Sequence, residues 1–429
     1  MSTTRRQFIK QSGSTLLGAS ALSGMGPEHV LGADTAAPEG RNRPTLVAIY
    51  LRGGADSLNT IVPYSDPLYY QHRPNIAVPR DGDPNLQVIP LNKQFGLHPN
   101  MAPLLPLFER GVMAPIINVG SPHPTRSHFD AQDFMERAAP GVRQITEGWL
   151  NRFLTMTRSN DDSDIRALSL QSTLPRSLRG QHPVLAFPSL HIEHTVDTFE
   201  ELYACEEDQR IQQQITQNES SAARMRRQVT EAGASTIKLI RELRQIIAQT
   251  RAGAKYPKGG FAQQMSDLAK LIKAGRGLEV AALDYSGWDL HAFQGGSRGT
   301  MALMLQDVSS TLAAFAEDLG PVFNRVLVMV MSEFGRTTLE NGNEGTDHGH
   351  GGFMLMMGSR VNGRKIYGKW TGLEIESLNE ERDMPVHTDF RQVFAEALSD
   401  LYGFDPFAHK FFPGYNHRAQ PLGILKPHG

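Results

Sequence analysis

Eight residues in the C-terminal third of the chain combine metal-binding side chains with glycine. The segment GTDHGHGG, residues 345–352, holds one aspartate and two histidines among four glycines. Carboxylates and neutral imidazoles are the ligands that zinc, manganese and similar divalent ions accept. Because glycine permits sharp turns, Asp347 and His348 could reach two different ions. Taken alone, the segment predicts either a metal-binding loop or an ordinary polar surface turn.

Residues of the same kinds follow several apolar segments. In an open parallel sheet, ligands bind beyond the carboxyl ends of the strands, so a shared edge would bring these residues together. Each residue also has a structural alternative: Asp289, Ser127 and Thr388 could cap helices, and Asp56 could shape a glycine turn. The candidates are Asp56 and Ser57 in RGGADSLN, Thr125, Arg126 and Ser127 in SPHPTRSHFD, Asp289 and His291 in GWDLH, Glu333 in SEFGRT, His350 in the quoted segment, and His387 with Asp389 in VHTDF.

Alternating strand and helix patterns would position these residues. Short apolar runs that end at glycine are typical of buried strands, and apolar residues spaced by three and four are typical of helices. Their alternation predicts an α/β fold with a central, mostly parallel sheet. The predicted strands are PTLVAIYLRGG, GVMAPIINVG, residues 278–283, RVLVMVMSEFGRT and GGFMLMMG; the predicted helices are PNMAPLLPLFERG, TRSHFDAQDFMERA, residues 261–274, residues 299–319 and TDFRQVFAEALSDLYG.

The alternation stops between about residues 195 and 258. This stretch is rich in Gln, Glu, Arg and Ala, with apolar residues at three- and four-residue intervals. The pattern predicts a pair of amphipathic helices packed on or over the sheet, because no heptad persists long enough for a coiled coil. Since the segments on both sides are α/β, we expect one domain over residues 44–429 with a helical insertion.

The N-terminus has the three parts of an export signal. Arg5 and Arg6 form a twin-arginine pair, a weakly apolar stretch follows, and Leu31-Gly32-Ala33 ends it with small residues. The apolar stretch is shorter than the roughly 20 residues that cross a membrane. We therefore expect a signal peptide over residues 1–33, a linker over 34–43, handling by the twin-arginine export machinery, a periplasmic or extracellular location and no stable transmembrane anchor.

Composition narrows the function classes. The chain has 429 residues, a formal net charge of -2 and 21% charged residues, which is typical of a soluble globular protein and gives no indication of nucleic-acid binding. Its single cysteine, Cys205, excludes an intramolecular disulfide. Stability outside the cytoplasm would therefore have to come from the core or from bound metal.

Eight motifs resemble one family over nearly the whole mature chain. They are RGGADSLNTIVP, GLHPNMAPLLPLF, SPHPTRSHFDAQDFME, GWLNRFL, GWDLH, SEFGRT, TDHGHGG and HTDFRQV, between about residues 45 and 405. Through them the chain resembles the twin-arginine-exported "domain of unknown function 1501" family. That family is in turn similar to the alkaline phosphatase and sulfatase superfamily, which implies a sandwich with helices on both faces of the sheet.

The superfamily resemblance also implies roles for individual residues. Ser127, or Thr125 in its place, would be the nucleophile, and Arg126 would hold anionic oxygens. A modified cysteine followed by Pro and Arg is absent, which argues against a formylglycine sulfatase. The implied ligands are Asp289, His291 and His387 for one ion, and Asp56, Asp347 and His348 for the other.

Two functions are consistent with the sequence. The first is a metal-dependent hydrolase of phosphate or sulfate esters, in which one or two ions (Zn, Mn, Mg or Ca) serve a hydroxyl nucleophile. Two ions about 4 Å apart would clamp the attacking and leaving oxygens of an anionic ester substrate. The alternative is a catalytically silent binding or structural protein that keeps the fold, because fold alone does not establish activity.

Overall fold

The chain folds around a central sheet of eight strands. The computed structural model describes residues 43–159, 165–187, 221–415 and 420–426. A second, three-stranded sheet lies among the loops that follow β1. The strands are β1 (Thr45–Arg52), β2 (Ile61–Val62), β3 (Ile89–Pro90), β4 (Gly96–Leu97), β5 (Met113–Gly120), β6 (Ala167–Ser169), β7 (Leu185–Ala186), β8 (Val280–Ser286), β9 (Val326–Met331), β10 (Gly352–Met357) and β11 (Thr388–Asp389).

The order of strands in the large sheet is β11-β5-β10-β9-β1-β8-β6-β7. All neighbouring pairs are parallel except those of β10, which runs antiparallel to both β9 and β5. β1 lies at the centre, with Ile49 opposite Val330 of β9 and Leu283 of β8. The carboxyl ends of β1, β5, β8, β9 and β11 therefore share one edge of the sheet, and the beginning of β10 lies at that same edge.

Helices cover both faces of this sheet. Their bounds are α1 (Ser57–Thr60), α2 (Pro67–His72), α3 (Leu105–Glu109), α4 (His128–Arg137), α5 (Trp149–Met156), α6 (Ser221–Gln249), α7 (Gly260–Lys273), α8 (Thr300–Leu319) and α9 (Phe390–Tyr402), with 3-10 helices at Pro99–Leu104, Arg176–Leu178, Gly320–Arg325 and Ile375–Ser377.

Alternation along β1 divides the core into two layers. Val47, Ile49 and Leu51 join a cluster that includes α7 and α8, whereas Leu46 and Tyr50 join a cluster that includes α5 and α9. A strand buried on both faces reads as a continuous apolar run, as the TLVAIYLR sequence of β1 does. The two apolar layers hold the sheet between them, and the ends of its strands determine where the loops with the polar residues begin.

The predicted α/β fold with a mostly parallel sheet and helices on both faces is confirmed. The antiparallel direction of β10 was not predicted; a single loop joins it to its neighbour β9, which is the connection that antiparallel strands permit. Of the predicted insertion over 195–258, α6 is described, and the part before it lies outside the described residues. The predicted signal peptide and residues 34–42 of the linker also lie outside them. No helix in the described ranges is long and apolar enough to span a bilayer.

Candidate metal site

Polar residues from separate strands come together at the carboxyl edge of the sheet. Asp289 and His291 follow β8, and His128 begins helix α4 after β5. Asp347 and His348 precede β10, and because this strand runs antiparallel they reach the same edge. Four of the six predicted metal ligands are therefore neighbours, and they are joined by a histidine outside the predicted set.

A short antiparallel pairing holds the GTDHGHGG segment beside the chain that leaves β9. Arg336 pairs with His348 across it. A Cβ atom on Gly349 would lie 2.4 Å from the Arg336 backbone, and one on Gly345 would lie 2.3 Å from the backbone of His291. Neither glycine has a positive φ. Here glycine permits close approach of backbones rather than the sharp turn that the sequence suggested.

Three histidines have their hydrogen positions fixed by what their Nδ1 atoms contact. A carbonyl or carboxylate oxygen only accepts hydrogen bonds, so each Nδ1 must donate, and each neutral ring then carries its lone pair on Nε2. Metal-binding histidines are commonly held in this way. The Nδ1 donations are from His348 to the Arg126 carbonyl at 2.9 Å, from His291 to Asp347 Oδ1 at 2.9 Å, and from His128 to Glu333 Oε1 at 2.8 Å.

The three Nε2 atoms converge on Asp289. The Nε2 atoms of His291 and His348 lie 2.9 Å apart, and each lies 3.0 Å from Asp289 Oδ1. His128 Nε2 is buried without a hydrogen-bond partner in the described residues, 3.3 Å from Asp289 Oδ2. Ligand atoms of His128, Asp289 and His348 all lie within 4.8 Å of one another.

Lone pairs at these separations repel unless a proton or a metal ion lies between them. Two ligands roughly 2.0–2.1 Å from one ion lie roughly 3 Å apart when their bonds meet at 90–110°. The triangle of Asp289 Oδ1, His291 Nε2 and His348 Nε2, with sides of 2.9 to 3.0 Å, has that size. Nitrogen and carboxylate donors together suit zinc, manganese or iron better than calcium. The residues present fit a divalent transition-metal ion.

Asp289 is held ionised at the centre of this group. Arg336, which is buried, donates to Asp289 Oδ1 at 2.7 Å and to the Trp288 carbonyl at 2.9 Å. Burial acts to raise the pKa of Asp289, but the hydrogen bond and the positive charge of Arg336 act against it, and the pKa is lowered to about 2. Arg336 therefore positions a candidate ligand.

His128 is a candidate ligand that sequence reasoning left aside. The buried carboxylate of Glu333 accepts from its Nδ1, from Gln132 Nε2 at 2.8 Å and from the Gly53 N–H at 2.8 Å. Burial acts to raise the pKa of Glu333, yet the hydrogen bonds from His128 and Gln132 bring it below its usual value. The hydrogen bond to Glu333 raises the pKa of His128. No local motif singles out His128, because Glu333 lies 205 positions away in the sequence, just after β9.

The Asp347 carboxylate contacts His291 Nδ1 and not the Nε2 atoms that converge on Asp289. Its Oδ1 accepts from His291 Nδ1, and also from Asn341 Nδ2 at 3.2 Å. The hydrogen bond from His291 is the main reason that the pKa of Asp347 is lowered. In this position the carboxylate orients His291.

Asp56 lies at the same edge but is enclosed by its own partners. It is 3% exposed, and Arg73 donates to both of its oxygens, at 2.6 and 3.1 Å. Gln294 Nε2 and the Leu58 N–H donate as well, at 2.7 and 3.1 Å. A guanidinium thus occupies the position that a metal ion would need.

His387 is exposed immediately before β11, and its backbone N–H donates to the Asn118 carbonyl at 2.9 Å. Its side chain is not among the contacts that join the other candidates in the described residues. Asp389, and not Thr388, caps the following helix by accepting from the Arg391 N–H at 2.9 Å. The HTDF motif therefore begins a helix, with its histidine apart from the convergent group.

Ser127 stands at the N-cap of α4, and its hydroxyl has no hydrogen-bond partner in the part of the chain that the structure describes. Its exposed side chain makes no capping hydrogen bond, while its N–H donates to Thr125 Oγ1 at 3.2 Å. Both of its chain neighbours contact the candidate site: the Arg126 carbonyl through His348, and His128 directly. The structure thus places Ser127 beside the convergent group with its hydroxyl available.

The guanidinium of Arg126 points to acidic partners. It donates to Asp383 Oδ2 at 2.5 and 3.0 Å and to Glu380 Oε2 at 2.8 Å. These two carboxylates neutralise its charge, so the anion-binding role predicted for Arg126 would require it to change partners.

Solved structures whose overall fold is similar to that of this chain have low sequence identity to it. Ps i-CgsB has 11% identity and a TM-score of 0.38, covering 87% of this chain and 75% of that chain. The PsFucS1 sulfatase from Pseudoalteromonas sp. has 12% identity and a TM-score of 0.38, covering 97% and 76%. The C-terminal periplasmic domain of EcEptC from Escherichia coli, in complex with Zn, has 9% identity and a TM-score of 0.32, covering 75% of each chain. Likenesses this weak say nothing about activity, which has to be argued from the site.

Family membership is clear although activity is not. No curated protein sequence matches the chain. The model of the family described as "Protein of unknown function (DUF1501)" matches residues 43–409. The match spans most of the chain and agrees with the resemblance of its motifs, so the protein belongs to the DUF1501 family.

Proposed function

We propose that this protein is an exported, metal-dependent hydrolase of phosphate or sulfate esters. The observation that carries the proposal is the convergence of three imidazole Nε2 atoms on the Asp289 carboxylate, with every Nδ1 committed to an acceptor. Such a group binds a cation, and it lies beside an exposed serine hydroxyl at a helix N-terminus.

His128, Asp289, His291 and His348 are the proposed ligands of one divalent ion. Glu333 and Asp347 would orient His128 and His291, as carboxylates behind metal-bound histidines do. This revises the ligand set expected from sequence, since Asp56 pairs with Arg73 and His387 lies apart. The contacts support one ion, and a second would need further ligands to move in.

The chemistry follows from the neighbours of the ion. A bound divalent ion supplies Lewis acidity, which favours an ionised hydroxyl and neutralises ester oxygens. Ser127 offers its hydroxyl from the N-cap of α4, where unpaired backbone N–H groups attract anionic oxygens. The serine would attack phosphorus or sulfur, break the bond to the leaving oxygen and form a covalent ester that water then hydrolyses.

Metal analysis of the full chain tests the ion site. We expect at least one equivalent of a divalent transition metal in the wild type and its loss in a His348→Ala, Asp289→Ala double variant. Asp81→Ala is a matched control, because its side chain is 91% exposed in a separate loop. Equal metal content in the wild type and the double variant would sink the proposal.

Hydrolysis of aryl phosphates and aryl sulfates tests the reaction. Activity should require the metal and should fall to background in Ser127→Ala, while Thr125→Ala keeps most of it. Activity that survives Ser127→Ala would reject the serine ester. A chain that binds metal and hydrolyses none of these esters would instead be the silent binding protein that the sequence also allows.

Export is tested separately from chemistry. Arg5→Lys together with Arg6→Lys should leave the protein in the cytoplasm, because the twin-arginine pair is what the export machinery reads. Unchanged export of this variant would contradict the proposed route without affecting the site.

A further inference from the structure

A cleft lies next to the candidate metal site, on the side where Gln132 contacts Glu333. Its volume is about 210 Å³, and it lies between helix α4 and the chain around the 3-10 helix Arg176–Leu178. Ligand pockets for drug-sized molecules usually measure roughly 300–1,000 Å³. The cleft is therefore of a size for one ring with its substituents. Its lining includes Arg52, Phe129, Gln132, Pro175, Arg176 and Arg179.

One side chain is shared between this cleft and the metal site. Gln132 lines the cleft, accepts from Arg52 Nη1 at 3.0 Å and donates to Glu333 at 2.8 Å. Glu333 in turn accepts from the candidate ligand His128. His128 and Gln132 are one helical turn apart, about 6 Å along the axis of α4. A molecule held in the cleft would thus lie within reach of the candidate metal site.

The arginines of the cleft differ in their partners. The carboxylates of Glu136 and Asp284 also line the cleft, and both pair with Arg52. Arg176 pairs with Asp133. Arg179 is exposed, and its Nε donates to the Leu174 carbonyl at 3.1 Å. Within the described residues no acceptor is assigned to its two terminal nitrogens. Arg179 is therefore the cation of this cleft that is available to an anion, in the geometry that binds carboxylate, sulfate or phosphate oxygens in pairs.

An aromatic ring stands beside this free cation. Phe129 is 86% exposed, the most exposed of the large apolar side chains in the described chain, and it lines the same cleft. A ring stacked on this phenylalanine would remove apolar surface from contact with water, which favours binding. A free guanidinium and an uncovered ring together fit a ring that carries a negative charge.

We propose that this cleft is a recognition subsite for a ring-bearing anionic group of the substrate, with Arg179 binding the anion and Phe129 covering the ring. Its identification as a substrate subsite rests on the proposed hydrolase function. The substrate would then be an ester that carries a second anionic group on a neighbouring ring, and the cleft would select such esters over simple ones.

A binding experiment tests the subsite without relying on catalysis. The probe is benzenesulfonate, a ring-bearing anion with no ester to hydrolyse, titrated into the full chain and followed by ligand-observed NMR; benzyl alcohol is the neutral control. We expect Arg179→Gln to raise the Kd about tenfold, Phe129→Ala to raise it about fivefold, and Arg179→Lys to restore part of the affinity. Arg110→Gln, an exposed arginine near the opposite edge of the sheet, should leave the Kd unchanged.

Two outcomes would overturn the subsite. One is a Kd that rises in His348→Ala and not in Arg179→Gln, which would place the anion on the metal site. The other is no binding to the wild type. A kinetic comparison separates this failure from failure of the hydrolase proposal: the wild type should prefer 3-carboxyphenyl phosphate to phenyl phosphate in kcat/KM, and Arg179→Gln should remove the preference. Turnover of both esters with no preference would reject the subsite and leave the hydrolase in place.

Discussion

Asp56 and Asp289 occupy corresponding positions after adjacent strands, and their surroundings are opposite. Asp56 follows β1, is almost fully buried and pairs with Arg73. Asp289 follows β8, has 45% of its side chain exposed and faces three imidazole lone pairs. Both carboxylates contact an arginine, but Arg73 and its neighbours enclose Asp56, whereas Asp289 also faces three imidazole nitrogens that we propose to share a metal ion with it.

The difference shows that an acidic residue after a strand is not by itself a ligand. What differs between the two residues is whether groups of the protein already surround both carboxylate oxygens, as they do at Asp56. Arg73 also donates to the carbonyls of Thr337 and Thr338, so it joins the loop after β1 to the loop after β9. The Asp56 region therefore supports the edge of the sheet, and the Asp289 region is where chemistry could take place.

The largest expected effect comes from breaking the buried pair. Arg73→Leu leaves the Asp56 carboxylate buried without its partner, and we expect a loss of about 3–5 kcal/mol in the free energy of unfolding. Urea unfolding followed by circular dichroism measures it. The Arg73→Leu, Asp56→Leu double variant should recover much of the loss, because it removes the isolated charge. Loss of metal from Asp56→Leu while the fold is retained would make Asp56 a ligand after all and end the contrast.

The next largest effect is expected in the pH dependence of the free energy of unfolding, through the buried residue His98. His98 is fully buried; its Nε2 donates to the Gly296 carbonyl at 3.0 Å and its Nδ1 accepts from the Asn100 N–H at 3.1 Å. Burial lowers the pKa of His98 to about 4. The unfolded chain takes up this proton near pH 6.5, so the stability due to neutral His98 is complete above that pH and is lost as the pH falls toward 4.

That loss is up to about 3 kcal/mol, because each of the roughly 2.5 pH units between 6.5 and 4 corresponds to 1.36 kcal/mol. The measurement is the difference in unfolding free energy between the wild type and His98→Asn across pH 4 to 7. Asparagine can still cap the 3-10 helix and does not titrate in this range. A difference that stays constant with pH would show that His98 does not carry the effect.

A moderate effect on metal affinity is expected from Glu333, the carboxylate that accepts a hydrogen bond from His128. Glu333→Gln keeps the shape of the side chain but weakens its hold on His128 Nδ1, and we expect metal affinity to fall about 10- to 100-fold. Competition with a chelating dye measures it. Glu376→Gln, an exposed glutamate in the 3-10 helix Ile375–Ser377, is the control. Unchanged affinity in Glu333→Gln would remove His128 from the ligand set.

The smallest effect is expected at His387. His387→Ala should change stability by less than about 0.5 kcal/mol and should leave metal content unchanged, because the side chain is exposed and apart from the convergent group. Metal analysis and thermal unfolding of the variant check this. A loss of metal comparable to that of His348→Ala would return His387 to the ligand set implied by the family resemblance.

The fold was largely predictable, because each central strand is a short apolar run that ends in glycine or a polar residue. The direction of β10 was not, since an apolar run such as GGFMLMM has no polarity of its own. Within the site, Asp289, His291, Asp347 and His348 were found from their residue types and their positions beside strands. The remaining residues of the site could not be found from the sequence, because their roles depend on contacts between residues that are far apart in the chain.

Two residues illustrate that limit. Arg73 stands in a loop without a motif, and only the folded chain shows that it fills the space beside Asp56. His128 meets Glu333 across 205 positions of sequence, so nothing local separates it from His98, which is packed, or from His123. A sequence records which side chains are present, whereas these roles depend on which of them meet.

Ser127 is braced from both sides: the carbonyl before it accepts from His348, and the histidine after it is fixed by Glu333. These contacts restrain the backbone on both sides of the serine, so for the nucleophile that we propose, part of the entropy cost of positioning is met during folding. A substitution that weakens either of these two contacts should therefore slow the chemical step, although Ser127 itself is unchanged.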